Sequence, residues 1–380
     1  MIKPDYDHSL VNLISAIESS FGSHNTIYSA LPELPVAEVA AARNVVLWLL
    51  DGLGYHYLKQ HSTRLQGYLR GSMDSVFPSS TAPAITSLMT GCAPQQHAVT
   101  GWFMQLDEVD AVTMLLPFKA RAGTLPQDAV VASLIGAAPM FSRLDYASHI
   151  VITEALCDSD YSRATGGTAW RHGYKGLEAC LDCLQQVVGK GHERQFIYAY
   201  WPAFDALAHR YGVASPEVKT HFDELEQAIV ELIEKLRGSD TLLIITADHG
   251  FIDCPPEHVL LLNDHPELQA CLRHPLCGEP RAAYAYVQPQ RLRLFTDYLE
   301  TELSAELSWY PAAELIDAGW FGKGRPDPRL AARIGDIVLL PEDNRIVIDR
   351  LENEPPWGLI GVHGGLSEAE KKVPLVVAQC

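Results

Sequence analysis

Apolar and polar positions alternate along the chain in two distinct rhythms. Residues 44–50 ("NVVLWLL"), 195–201 ("QFIYAYW") and 241–247 ("TLLIITA") are continuous apolar runs. Short runs without polar alternation predict strands buried on both faces of a largely parallel sheet. Between them, "TAPAITSLMTG", "GYKGLEACLDCLQQVVGK" and "SPEVKTHFDELEQAIVELIEKLRG" carry helical periodicity, as does "LVNLISAIESSF" near the N-terminus. The longest opens with Ser215 as a predicted N-cap and Pro216 at the first helical position. Strand and helix in alternation predict an α/β fold, a three-layer α/β/α sandwich around a mostly parallel central sheet. After Phe251 the rhythm changes. "RAAYAYVQ" and "DIVLLP" read as strands, "PQRLRLFTDYLETELS" and "DPRLAARIG" as helices. Residues 254–360 are therefore expected to form a small α+β cap. It interrupts a catalytic core made of residues 1–253 and 361–380, whose last strand is "VPLVVAQ".

Composition adds limits. The 380 residues are 47% hydrophobic, enough for a substantial core. The net charge of −18 repels a phosphate backbone, which argues against nucleic acid as a partner. It leaves room for a small phosphorylated substrate, because a bound metal reverses the local field. No stretch approaches a membrane span, and Asp5, Asp7 and Glu18 interrupt any secretory signal, so no membrane partner and a cytoplasmic location are expected. Of eight cysteines only Cys180 and Cys183 form a C-x-x-C, and no second pair completes a zinc site. They read as buried small residues of a reduced protein.

In a parallel sheet, ligands bind beyond the carboxyl ends of the strands. Asp51 follows the first run, in "DGLG". Asp205 and His209 follow the second, spaced i, i+4 so that one helix face carries both. Asp248 and His249 follow the third, in "DHG", and His363 lies in "GVHGG" before the last strand. Each position alone has an ordinary explanation: a helix cap, a solvated face, a turn. Together they put three carboxylates and three imidazoles at one sheet edge. That donor set suits zinc or manganese better than calcium or magnesium, and six donors fit two catalytic ions. Ser79, Ser80 and Thr81 form a hydroxyl cluster near the same edge, read as a polar turn or as the home of a nucleophile.

In order, "LLDGLG", "FPSSTAPAITSLMTG", "FDALAH", "TADHG" and "VHGG" resemble the alkaline phosphatase superfamily, and within it the type I phosphodiesterase/nucleotide pyrophosphatase branch. The resemblance implies Thr81 as nucleophile, with Ser80 as the fallback. It also implies two divalent ions, zinc or else manganese. One would be held by Asp51, Asp248, His249 and Thr81, the other by Asp205, His209 and His363. It further implies a phosphoryl-enzyme intermediate and a small phosphorylated substrate, a phosphodiester or nucleotide pyrophosphate. A phosphomonoesterase, a phosphonate hydrolase or a metal-binding member without activity are the alternatives. The sequence departs from the branch at Ala84, where an asparagine usually binds a phosphate oxygen. Thr86, Arg143, Arg163 and Arg281 are candidates to take over that contact. Arg163 lies in residues 141–167, which read as a substrate-binding loop with Ser159 and Ser162. "CAPQQ" is similar to a sulfatase signature, but Gln96 replaces its arginine.

Overall fold

The computed structural model describes residues 3–23, 27–190 and 193–380. Its central sheet has seven strands, in the spatial order Leu69–Asp74, Lys372–Gln379, Thr241–Thr246, Asn44–Leu50, Gln195–Trp201, Ala147–Thr153 and Trp170–Tyr174. The three apolar runs are its middle strands. Asn44–Leu50 pairs in parallel with both neighbours, Asn44 standing opposite Gln195 and Thr241. All three are buried at every position, so helices and loops cover both faces. Because the strands start in register, their carboxyl ends also line up, and whatever follows them converges on one edge.

Lys372–Gln379 is antiparallel to Thr241–Thr246 and to Leu69–Asp74. The reason is positional. His363 leaves the chain at the carboxyl edge of the sheet, and the few residues before Lys372 allow no crossover to the opposite edge. The strand must run away from that edge.

Residues 141–167 are not the predicted loop. Ala147–Thr153 is a strand, parallel to Gln195–Trp201 and Trp170–Tyr174. Ser148 and His149 interrupt its apolar character because it lies close to the sheet's outer edge. Asp160–Thr165 is a helix, and Ser159 caps it by accepting from the Ser162 amide at 3.1 Å.

A second, antiparallel sheet has the order Leu307–Pro311, Ile337–Pro341, Ala282–Ala285, Cys277–Glu279, Phe103–Leu106, Ala111–Met114 and Lys119–Ala120. Four of these strands come from the segment expected as a cap; residues 103–120 contribute the other three. Phe77 packs edge-on against Trp320 and Phe321 in the apolar cluster of this second sheet. The second sheet is therefore tied to the turn that carries the hydroxyl cluster.

The helix Pro216–Leu236 buries Val218, Phe222, Leu225, Ile229 and Leu232 along one stripe, and Ser215 caps it as its sequence predicts, accepting from the Val218 amide at 3.3 Å. Cys180 and Cys183 lie on the helix Gly176–Lys190. Burial pushes the Cys180 thiol up to about 12, which leaves it an inert packing residue. Among the described residues no helix is long and apolar enough to cross a membrane.

Candidate functional site

Thr81 opens the helix Thr81–Thr90, and every residue of that helix is buried. A buried helix rich in hydroxyls needs internal partners. Thr86, Ser87 and Thr90 each donate to the carbonyl four residues back, at 2.7, 2.9 and 2.7 Å. Gly91 ends the helix at φ 68°, a left-handed conformation that suits glycine. At the start, Ser80 has the extended backbone of an N-cap, but its hydroxyl does not cap. It donates to the Glu279 carboxylate instead. The amides of Thr81 and Ala82 donate to no acceptor among the described residues, so the helix start presents two free N–H groups. Ser79 donates to Gly365 O at 2.6 Å, fastening this turn to the loop that carries His363.

The predicted metal ligands converge beside Thr81. Ligand atoms of Asp51, Asp248 and His249 lie within 4.8 Å of one another, and so do those of Asp205, His249 and His363. His209 adjoins the second group, its Nε2 3.4 Å from Asp205 Oδ1 and 3.2 Å from His363 Nε2. The i, i+4 pair stands on the helix Ala203–Tyr211 as its spacing implies. His249 Nε2 is the hub: 3.1 Å from Thr81 Oγ1, 3.4 Å from Asp51 Oδ1, 3.5 Å from Asp248 Oδ2 and 3.9 Å from Asp205 Oδ1.

Neighbouring groups aim these ligands. His209 Nδ1 donates to Gly361 O at 2.8 Å, and His249 Nδ1 to Gly250 O at 3.1 Å. Both Nε2 atoms are thereby left bare, and Thr81 Oγ1 donates to the one on His249. Asp248 Oδ1 accepts from the amides of Gly52 at 3.0 Å and His249 at 3.1 Å. Asp51 Oδ2 accepts from the Tyr200 hydroxyl. In each case the carboxylate's other oxygen points into the cluster.

Those remaining oxygens make the test of whether cations fit. Asp51 Oδ1, Asp205 Oδ1, Asp248 Oδ2 and His363 Nδ1 are buried without a hydrogen-bond partner. Among the described residues no lysine or arginine pairs with the three aspartates. Burial first, then the charges of Asp248 and Asp205, holds Asp51 well above the usual carboxylate range. Burial and Asp248, with a smaller contribution from Glu279, do the same to Asp205. Burial also lowers His209 to about 4 and His363 well below its ordinary value, the latter helped by the other two imidazoles. Neutral imidazoles beside crowded, unpaired carboxylates form a site that divalent cations stabilise.

The candidates for the missing asparagine contact are committed elsewhere. Thr86 shares its hydroxyl between Ala82 O and Tyr161 at 2.7 Å each. Arg143 binds Glu18 and the Thr90 carbonyl, at the far end of the helix from Thr81. Arg163 is exposed and faces Asp158 at 3.8 Å. Arg281 is buried in a two-pronged pair with Glu370, both contacts 3.1 Å. Ala84 itself is buried, its methyl side chain carries no donor, and its amide is spent on Ser80 O at 3.0 Å. The residue that sequence reasoning missed is Glu279. It is buried, accepts from Ser80 Oγ and from the Trp102 amide at 2.7 Å, and burial pushes it up to about 7. Nothing in "CGEPRAA" marks it, because its proximity to Thr81 arises only when the second sheet docks on the first.

The sequence profile of the type I phosphodiesterase / nucleotide pyrophosphatase family matches residues 45–366. Among solved structures, murine ectonucleotide pyrophosphatase / phosphodiesterase 5 is similar with a TM-score of 0.68 at 18% identity, over 88% of this chain and 87% of that one. An inactive variant of that protein in complex with AMP gives a TM-score of 0.67 at 18% identity, over the same shares of the two chains. Phosphonoacetate hydrolase from Sinorhizobium meliloti 1021, in complex with phosphonoformate, gives 0.62 at 16% identity, over 89% and 90% of the two chains. No curated protein matches.

Proposed function

The chain belongs to the type I phosphodiesterase / nucleotide pyrophosphatase family of phosphoester hydrolases, and from that premise we propose that it cleaves a small phosphodiester or nucleotide pyrophosphate with Thr81 as nucleophile. Asp51, Asp248 and His249 would hold one divalent ion and Asp205, His209 and His363 the other, zinc by preference because half the donors are imidazoles. The observation that carries the reading is the hub: one imidazole nitrogen 3.1 Å from a helix-start hydroxyl, facing three aspartates with no lysine or arginine partner among the described residues. Ions held there would act as Lewis acids on the phosphoryl oxygens and lower the pKa of the attacking hydroxyl.

The chain's own groups do the rest. The Thr81 and Ala82 amides bind a non-bridging phosphoryl oxygen at the helix start. Thr81 Oγ1 gives up its proton to solvent and attacks phosphorus, the bond to the leaving oxygen breaks, and that oxygen takes a proton from water as it departs. Water then displaces the phosphoryl group from Thr81 and frees the hydroxyl for the next cycle. Ser79 and Ser80 hold the turn in place while this happens. A phosphomonoesterase or phosphonate hydrolase is the second reading, favoured by Ala84, which removes a side-chain donor for the phosphate. A cytoplasmic location is part of the proposal, supported by the free state of all eight cysteines.

Replacing Thr81 with alanine tests the assignment. Six ligands remain, so metal content should stay near that of the parent while turnover of bis(p-nitrophenyl) phosphate disappears. Parent-level turnover by Thr81→Ala would remove Thr81 as the nucleophile.

A further inference from the structure

We propose that Glu279 is a specificity-determining residue of this site: its carboxylate sets a negative charge beside the nucleophile turn and favours a singly charged phosphodiester over a doubly charged phosphomonoester. The inference rests on the two-metal hydrolase reading above.

Two independent contacts fix where Glu279 stands. First, its Oε1 takes the hydroxyl of Ser80, the residue immediately before Thr81. Second, a Cβ built on Gly364, the residue after His363, would come within 2.7 Å of Glu279 Cβ and 3.0 Å of its Cγ. Glu279 therefore lies between the nucleophile turn and the His363 loop, on a strand of the second sheet that also pairs with Phe103 through Gly278.

Its carboxylate is only half committed. Oε1 accepts both of its hydrogen bonds, from Ser80 and from the Trp102 amide. Among the described residues Oε2 accepts none, and no lysine or arginine pairs with Glu279. Arg281, two residues along, is spent on Glu370. So the charge of Glu279 is not neutralised locally, and it acts on whatever occupies the space over Thr81.

The sign of that action decides between substrates. Three aspartates and Glu279 together carry four negative charges, which two divalent ions would balance. Without Glu279 the site would keep one net positive charge. A monoester dianion feels that difference twice as strongly as a diester monoanion, which at close range is worth on the order of tenfold in relative affinity.

Two substitutions separate charge from architecture. Glu279→Gln keeps an acceptor for Ser80 and Trp102 but removes the charge. Ser80→Ala breaks the contact and keeps the charge. The zinc-loaded proteins are compared at pH 8.5, where Glu279 is ionised, on bis(p-nitrophenyl) phosphate and p-nitrophenyl phosphate. The ratio of the two kcat/KM values should fall about tenfold in Glu279→Gln and stay within about twofold in Ser80→Ala. In the Thr81→Ala background at the same pH, calorimetry with inorganic phosphate, a dianion there, should show about a hundredfold tighter binding once Glu279→Gln is added. An unchanged ratio with both substrates slowed equally would mean that Glu279 only holds the turn, and the proposal falls. If the parent turned over neither substrate, the hydrolase reading would fail by itself. The phosphate affinities would still decide Glu279: tighter binding in Glu279→Gln supports its role, and equal binding overturns it.

Discussion

Arg281 was a sequence candidate for holding the substrate phosphate, and the structure turns that idea into a measurable opposite. Its Nε and Nη2 each lie 3.1 Å from a Glu370 oxygen, and Nη1 donates to Pro341 O at 3.3 Å and Arg345 O at 2.5 Å. Both side chains are buried. Glu370 in turn accepts from the Gly365 amide at 2.8 Å and Ser367 Oγ at 2.6 Å, and Gly365 lies two residues from His363. Arg281→Met removes the cation at similar volume and leaves a buried carboxylate charged and unpaired. Removing one partner of a buried pair destabilises by about 3–5 kcal/mol. For a chain of this length the entropy of unfolding is about 0.8 kcal/mol per kelvin, so the midpoint should fall by about 4–6 °C. Thermal unfolding in chelator, followed by circular dichroism, measures this, and KM for bis(p-nitrophenyl) phosphate should stay within about twofold. A midpoint within about 1 °C of the parent together with a tenfold rise in KM would refute the reasoning and return Arg281 to the substrate.

Further expectations concern the ligands and one structural histidine. His249 is assigned to one ion and His209 to the other, so His249→Ala and His209→Ala should each lose about one of two ions per chain; parent-level metal content in either variant would break the site map. His97 is buried with Nδ1 accepting from the Val99 amide at 3.0 Å and Nε2 2.9 Å from Ser87 Oγ, so its neutral form is fully paired. Burial, then the Arg333 guanidinium, lowers it to about 3. Its folded pKa lies below the unfolded one, so the stability it contributes is complete above pH 6.5 and lost as pH falls toward 3. By pH 5 the loss is about 2 kcal/mol. Urea unfolding at pH 7.5 and pH 5 should show that loss in the parent and not in His97→Gln, and an equal loss in both would assign the acid sensitivity to other groups.

What the sequence discloses depends on whether a residue's role is local. The strands Asn44–Leu50, Gln195–Trp201 and Thr241–Thr246 are legible because burial on both faces writes an unbroken apolar run. The polar residues just past their ends are legible for the same reason: they interrupt that run at the edge where parallel strands open a cleft. Ala147–Thr153 is hidden because Ser148 and His149 give it the composition of a loop. The direction of Lys372–Gln379 is hidden because an apolar run carries no sign of parallel or antiparallel pairing. Glu279 and Tyr200 are hidden more deeply. Tyr200 looks like one more core residue of its strand, yet its hydroxyl fixes Asp51. Glu279 reaches Ser80 across almost two hundred positions, and only the docking of the two sheets brings them together. The resemblance to a known family recovers ligands on one contiguous motif at a time. It does not recover contacts made by a segment that lies outside those motifs, as Glu279 does.

The central claim is that three aspartates and three histidines hold two catalytic ions beside Thr81. The most direct measurement is elemental analysis of the purified chain, paired on the same preparation with an assay of bis(p-nitrophenyl) phosphate in added zinc or manganese. Close to two ions per chain and metal-dependent cleavage of the diester are expected. A chain that binds no metal after reconstitution and cleaves no phosphate ester would contradict it.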